Sequence, residues 1–524
     1  MTSSAIWSPS KQRIAQSNMY QFMQQAGLEN YSQLHQWSID QPALFWSLVW
    51  QYAELIPALE KPITDTQQLQ QVMIEGDHFS SARWFSQLKV NFAENLLKRR
   101  DSGIALISCG EPELNNGEDR SLSYQDLYAD VAKLAYSFKQ MGIQPGDRIA
   151  AFMPNTEETV VAMLAATSLG AVWSSCSPDF GLQGVVDRFG QIEPKILLTT
   201  DGYYYGGKTL DSLPKVEQIA NQLSSLEHVV VIPHTHLSKP FLAELPIIAD
   251  VEVKTWDQLL SNDCGSIDFV RLPFDHPLYI MYSSGTTGVP KCIVHSAGGT
   301  LIQHAKELSL HTDLKAQDTI FYYSTCGWMM WNWLVSGLSI GASIVLYDGS
   351  PFYPSGHRLW QMAEKHHISI FGTSAKYLAA LEKAHIQPKQ DYDLSELKAV
   401  LSTGSPLAHE SFDYVYRDIK QDVCLSSISG GTDIISCFAL GNPILSVYRG
   451  ELQCLGLGMA VDIFDDSQNS LTEEKGELVC TQPFPSCPIG FWHDPENKKF
   501  MQAYFAHFDN IWAHGDYGEI TKHQ

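Results

Sequence analysis

Asp147-Arg-Ile-Ala-Ala-Phe-Met-Pro-Asn-Thr-Glu-Glu-Thr-Val-Val-Ala-Met-Leu-Ala-Ala-Thr-Ser-Leu-Gly-Ala171 reads as a short apolar strand, a helix and a tight turn into a second strand. The strand is Ile149–Phe152. The helix runs from about Glu157 to Leu169, and Gly170-Ala171 turns the chain. The same order recurs from Asp318-Thr-Ile320: a strand Ile320–Tyr323, a helix from about Trp333 to Leu338, Gly341-Ala342, and a strand Ser343–Tyr347. The step from Asp to Gly is 23 residues both times. Strand, helix and strand at this spacing is a βαβ unit, since parallel strands need a crossover of a dozen or more residues. Two such units predict an α/β fold with two similar parallel-sheet lobes, chance recurrence being the competing explanation. Each unit continues into a helix and another apolar strand, Ile196–Thr200 and Ile368–Phe371.

Outward from these units the pattern changes. Residues 1–100 read as a helical lead-in, with apolar positions at helical spacing around Phe45–Leu55. In the stretch from Tyr124 to Met141, Leu127, Val131, Leu134, Ala135 and Phe138 fall at three- and four-residue steps, and Gly142 ends the helix. From 445 to 524, short alternating runs (Ala460–Phe464, Glu477–Cys480) lie between turns rich in Gly, Pro, Asp and Asn, which predicts a smaller β-rich subdomain. Residues 101–444 then hold the two lobes.

Composition narrows the functional classes. The 524 residues are 44% hydrophobic and 18% charged, a globular balance. The net charge of −23 disfavours nucleic acid and anionic lipid as partners, because both are bound through basic patches. No signal-peptide pattern opens the chain. The ten cysteines include no C-x-x-C pair, so free thiols in a reducing, cytoplasmic setting are expected. Asp318 to Asp348 encloses no charged residue, but Gly, Ser and Asn interrupt it; strand, buried helix and strand is expected there, with no membrane insertion. Oligomeric state stays open.

The richest chemistry lies in Ser283-Ser-Gly-Thr-Thr-Gly-Val-Pro-Lys291, directly after the apolar strand Leu278–Tyr282. Ser283, Ser284, Thr286 and Thr287 supply hydroxyls. Gly285 and Gly288 let backbone N–H groups approach a phosphate chain, and Lys291 adds a point charge. The string is not a Walker A loop, which ends G-K-[ST]. A polar turn between strands is the plainer alternative. Neither a zinc-ligand spacing nor a G-x-S-x-G elbow occurs.

This string resembles the phosphate loop of the adenylate-forming enzymes. Ser402-Thr-Gly-Ser-Pro406, Ser429-Gly-Gly-Thr-Asp433, Gly476-Glu-Leu-Val-Cys480 and His514-Gly-Asp516 resemble that family's later motifs, in the same order. Trp84-Phe85 with Asn91-Phe-Ala-Glu-Asn-Leu-Leu97 is similar to its acetyl-CoA and acetoacetyl-CoA synthetase branch. Trp173-Ser-Ser-Cys-Ser-Pro-Asp-Phe180, Gly327-Trp-Met-Met-Trp-Asn332 and Pro483-Phe-Pro-Ser-Cys-Pro-Ile-Gly-Phe-Trp492 resemble the acetoacetyl-CoA synthetases in particular. The resemblance spans essentially the whole chain from about residue 20.

The resemblance implies an acid–CoA ligase that uses ATP, Mg²⁺ and CoA. Thr286, Thr287 and Lys291 would hold the β- and γ-phosphates, and Thr432 the α-phosphate. Asp433 would help place Mg²⁺ where many relatives carry Glu. Gly404, Ser405 and Pro406 would pack near adenine, Gly431 would belong to the cofactor-binding set, and Asp516 would hold the ribose. Gly430 stands where acetyl-specific relatives carry a pocket-closing tryptophan. The loss of an indole, on the order of 150–250 Å² of surface, implies room for an acid such as acetoacetate. Trp328, Met330 and Trp331 are candidates for the opposite wall, with plain core packing as the alternative. Lys208, in Tyr205-Gly-Gly-Lys208, is the candidate contact for CoA. Relatives continue into a C-terminal domain of roughly 100 residues or more, which supplies the adenylation lysine. No such segment follows Gln524, so the chain reads as the large N-terminal portion, expected to bind nucleotide with little or no turnover. A CoA ligase for another short or branched acid, and a nucleotide-binding module without turnover, remain as alternatives.

Overall fold

A computed structural model describes residues 4–57, 59, 66–112, 117–235, 251–260, 265–283 and 288–523. Both βαβ units are present. In the first, strand Arg148–Phe152, helix Glu157–Ser168 and strand Val172–Cys176 follow one another; in the second, strand Thr319–Tyr322, helix Met329–Val335 with the 3₁₀ turn Ser336–Ile340, and strand Ser343–Asp348. Arg148 pairs with Val172 and Thr319 with Ser343, the same offset along the chain. In each lobe the third strand, Ile196–Thr200 or Ile370–Ser374, lies on the far side of the first. The second helix begins before the expected Trp333, because Trp328 caps a run of large apolar residues that bury themselves as a helix.

These units sit in two larger sheets. The first has eight strands, in the order Glu252–Thr255, His228–Ile232, Ile196–Thr200, Arg148–Phe152, Val172–Cys176, Pro277–Ser283, Lys291–Ser296 and Gly490–Phe491. It is parallel as far as Pro277–Ser283 and antiparallel beyond. The second has seven: Cys424–Ser427, Ala399–Thr403, Ile370–Ser374, Thr319–Tyr322, Ser343–Asp348, Ile104–Gly110 and Arg120–Ser123, only the last antiparallel. Helix Glu157–Ser168 is buried along its whole length, and its central run Val160–Ala166 is apolar throughout.

The described part of the lead-in is mostly helical, with short strands at Met73–Ile74, Arg83–Trp84 and Lys89–Val90. Asn18–Gln25, Tyr31–Asp40 and Pro42–Tyr52 bury Phe22, Trp46 and Trp50 completely. Each such burial stabilises by roughly 1.5–3 kcal/mol before the entropy of ordering. Near the C-terminus, Val461–Phe464, Gly476–Cys480 and Trp512–Gly518 form a three-stranded antiparallel sheet. Its aromatic core of Phe484, Phe491, Phe500, Tyr504 and Trp512 also takes in Ile293 of the first sheet. Strand Lys291–Ser296 therefore joins a lobe to the β-rich part. Among the described residues no helix is long and apolar enough to cross a membrane. The nine described cysteines are all free thiols.

Candidate active site

The phosphate-loop candidate lies at the C-terminal end of the last parallel strand, where ligands of open α/β sheets collect. Ser283 pairs directly with Lys291 across the hairpin. Ser284, Gly285, Thr286 and Thr287 lie outside the described residues. Gly288 has φ +89° with open space beside it, a left-handed turn suited to glycine. The Ser283 hydroxyl is buried without a hydrogen-bond partner among the described residues. A buried orphan of this kind points to a group that arrives with a ligand.

Lys291 reaches the Ser429–Asp433 motif. Its Nζ lies 3.3 Å from Asp433 Oδ1 and faces the rings of Tyr504 at 5.1 Å and Phe491 at 5.7 Å. Tyr504 donates its hydroxyl hydrogen bond to the same Asp433 oxygen. Burial alone would raise the Asp433 carboxyl; the Tyr504 hydrogen bond and the Lys291 charge win, and hold it below the ordinary range. Tyr504 is in turn stacked on Trp512 at 3.9 Å.

Thr432 and Asp433 sit in the tight turn between strands Ser429–Gly431 and Ser436–Leu440. The turn forces Ile435 to φ +49°, a strained conformation for a β-branched residue. Such strain persists only where the surroundings fix it. Here they do: the Ile435 carbonyl meets His304 Nε2 at 2.8 Å, and Ser436 is held by Gln303 at 2.8 Å and Glu307 at 2.5 Å. Glu307 also accepts from the Cys437 N–H at 3.1 Å and the Trp333 indole at 2.9 Å, while its charge faces Lys306 at 3.5 Å. Both charges are wholly buried. This polar layer ties the Asp433 turn to the helix that follows Trp328.

The other candidates divide. His514 lies beside the open face of Gly431, 4.0 Å from where a Cβ would stand. Burial lowers its pKa against the pull of Asp433, Asp516 and Glu477, leaving a neutral imidazole. Gly515 donates to Glu477 at 2.7 Å, and Asp516 projects, more than half exposed, 3.7 Å from His514. Gly404, at φ +87°, turns the chain after Ala399–Thr403, and Trp328 packs 3.9 Å from its Cβ position. Ser405 and Pro406 are exposed beside it. Thr403 bonds to the Ile428 carbonyl at 2.9 Å, linking this turn to the strand that leads to Thr432.

The structure also places four further candidates, Met330, Trp331, Gly430 and Lys208. Met330 and Trp331 are buried in the core, with the Trp331 indole donating to Asn155 at 2.9 Å. A Cβ on Gly430 would lie 2.2 Å from the Ser436 carbonyl oxygen, so the returning strand fills that side and the free space is at Gly431. Lys208 is exposed on a separate hairpin, whose Gly206 and Gly207 N–H groups donate to Glu111 at 2.6 and 2.7 Å. No described contact links Lys208 to Lys291 or Asp433. Sequence reasoning missed Tyr504 and Glu307. Nothing local marks the tyrosine, whereas the Lys306-Glu307 pair inside an apolar run was a visible signal.

Comparison with known proteins shows the family. The family model described as AMP-binding enzyme matches residues 96–486. The acetoacetyl-coenzyme A synthetase of Rhizobium meliloti (strain 1021) is 47% identical over 99% of this chain and 78% of its own length. The acetoacetyl-CoA synthetase of Gallus gallus is 43% identical, over 99% and 77%. The solved acetoacetyl-CoA synthetase from Streptomyces lividans superposes with a TM-score of 0.90 at 39% identity, covering 99% of this chain and 79% of that one. The chain thus spans about three-quarters of the length of these relatives, and it belongs to the AMP-binding enzyme family and, within it, to the acetoacetyl-CoA synthetases.

Proposed function

We propose that the chain activates acetoacetate with ATP, forming acetoacetyl-adenylate and pyrophosphate, and passes the acyl group to CoA with release of AMP. The observation that carries this reading is the junction of Lys291 and Asp433, one cation and one acid brought together from motifs 142 residues apart. The substrate carboxylate attacks the α-phosphorus, and pyrophosphate leaves with the electron pair of the broken P–O bond. Positioning and charge neutralisation supply most of the rate in such transfers.

In this reading the loop Ser283, Ser284, Gly285, Thr286, Thr287 and Gly288 wraps the β- and γ-phosphates, with Lys291 as their counter-charge. Thr432 holds the α-phosphate. Gly404, Ser405, Pro406 and Gly431 line the adenine position, and Asp516 takes the ribose hydroxyls. Trp328, beside Gly404, is the wall for the acid. Lys208 remains the candidate CoA contact. Asp433 fits Mg²⁺, which binds through one or two carboxylates plus substrate phosphates; such an ion neutralises phosphate charge. In the second half-reaction the CoA thiolate attacks the activated carbonyl, and AMP departs with its phosphate oxygen. Residues 1–100 act as a helical brace, 101–444 as the catalytic lobes and 445–524 as the part that brings Tyr504 and Asp516.

ATP–pyrophosphate exchange with acetoacetate, butyrate and acetate tests the assignment. Acetoacetate should support the fastest exchange. Equal exchange with butyrate would replace the acid by a generic four-carbon one; since little or no turnover is expected of this chain, exchange with none removes the adenylation reading only when a non-hydrolysable ATP analogue also fails to bind.

A further inference from the structure

A second cluster of chemically capable groups lies away from these residues, at the outer edge of the second sheet. Cys109 is on strand Ile104–Gly110, Asp119 precedes the edge strand Arg120–Ser123, and His366 ends helix Arg358–Lys365. Three separate segments thus bring one sulfur, one oxygen and one nitrogen to within 4.8 Å of one another. Cys109 Sγ lies 3.5 Å from His366 Nε2, and His366 Nε2 lies 2.7 Å from Asp119 Oδ2. Cys109 is buried, and the side chains of Asp119 and His366 are 11% and 13% exposed.

We propose that Cys109, Asp119 and His366 form a binding site for a zinc-class divalent ion. Thiolate, imidazole and carboxylate are the donors such ions take. An ion about 2.3 Å from sulfur and about 2.0–2.1 Å from nitrogen in a tetrahedral shell holds those two atoms about 3.5 Å apart, which is the separation seen here. The His366–Asp119 pair has to open from hydrogen-bond distance to about 3.3 Å. Binding releases the Cys109 thiol proton to solvent, and the sulfur keeps the electron pair that it donates to the metal. Lys365 is the competitor. Its Nζ lies 2.6 Å from the same Asp119 oxygen, but the side chain is 58% exposed and free to swing into water. The bound ion would stitch the sheet edge to helix Arg358–Lys365.

Titrating the intact chain with Co²⁺ and following its absorbance tests the site. The expected result is one equivalent bound with a thiolate-to-cobalt charge-transfer band, and loss of that band in Cys109→Ser. Lys365→Met, which removes an exposed competing charge, should lower the half-saturating Co²⁺ concentration several-fold. No band in the parent, or an equal band in Cys109→Ser, overturns the proposal. If Cys109→Ser does not fold, Lys365→Met decides: tighter binding supports the site, and unchanged or weaker binding overturns it.

Discussion

Lys291, Asp433 and Tyr504 share one oxygen between them, and single-atom changes there separate charge from packing. Lys291→Met should weaken nucleotide binding by on the order of 10- to 100-fold, since a charge-assisted contact to phosphate is lost. The melting temperature should hardly move, because a partly exposed pair contributes little stability. Calorimetric titration with a non-hydrolysable ATP analogue measures the first effect and thermal melting the second. Tyr504→Phe removes a donor to an anion, a bond of about 1.5–3 kcal/mol. The Mg²⁺ concentration for half-maximal nucleotide binding should rise several-fold, and an unchanged Mg²⁺ titration would dismiss Tyr504 as a holder of Asp433. Gly430→Ala should destabilise by about 1–3 kcal/mol through collision with the Ser436 backbone. Gly431→Ala should cost under about 1 kcal/mol, both values being measured by urea unfolding. At this scale the sequence offered Lys291 and Asp433 as candidates, because each stands in a short run of glycine and hydroxyl residues, and the structure pairs them. Tyr504 was invisible because its role depends on a stack with Trp512, which no local pattern encodes.

The elements were largely legible. Both βαβ units, the helix Tyr124–Gln140 and the strands at Val461–Phe464 and Gly476–Cys480 follow from hydrophobic period and turn residues. What period does not reveal is where a helix stops being regular. Helix Ala297–Lys306 passes into the π-type turn Glu307–His311, which carries Glu307 to Ser436 and Cys437. Single π turns often mark functional sites. Glu307→Leu strands Lys306 as an uncompensated buried charge, so a loss of about 3–5 kcal/mol is expected in denaturant unfolding. Glu307→Gln keeps an acceptor for Ser436 and should lose less. Equal stability of all three proteins would mean that the layer does not hold the Asp433 turn.

Across the whole molecule the two lobes meet through a buried ion pair. His234, just after a strand of the first sheet, lies 3.0 Å from Asp348 at the end of a strand of the second. Burial alone would lower the His234 pKa, and Arg120 lowers it too. The hydrogen bond and charge of Asp348, helped by Glu158, reverse this and raise it. A raised folded value means that the pair stabilises fully below the unfolded histidine pKa near about 6.5 and fades as pH climbs through the folded value. The melting difference between the parent and His234→Gln should therefore shrink as the pH rises above about 6.5; a gap that widens with pH would reverse the sign of this account. Which lobe faces which could not be read from one-dimensional spacing, since no period records a partner more than a hundred residues away. The resting embrace of Lys291 and Asp433 has a further corollary. Each is the other's counter-ion, so a polyanion that claims the lysine leaves the acid stranded unless a cation travels with it. Nucleotide and divalent ion should then enter as cooperative companions, each tightening the other's grip, and chelating the ion should loosen the nucleotide.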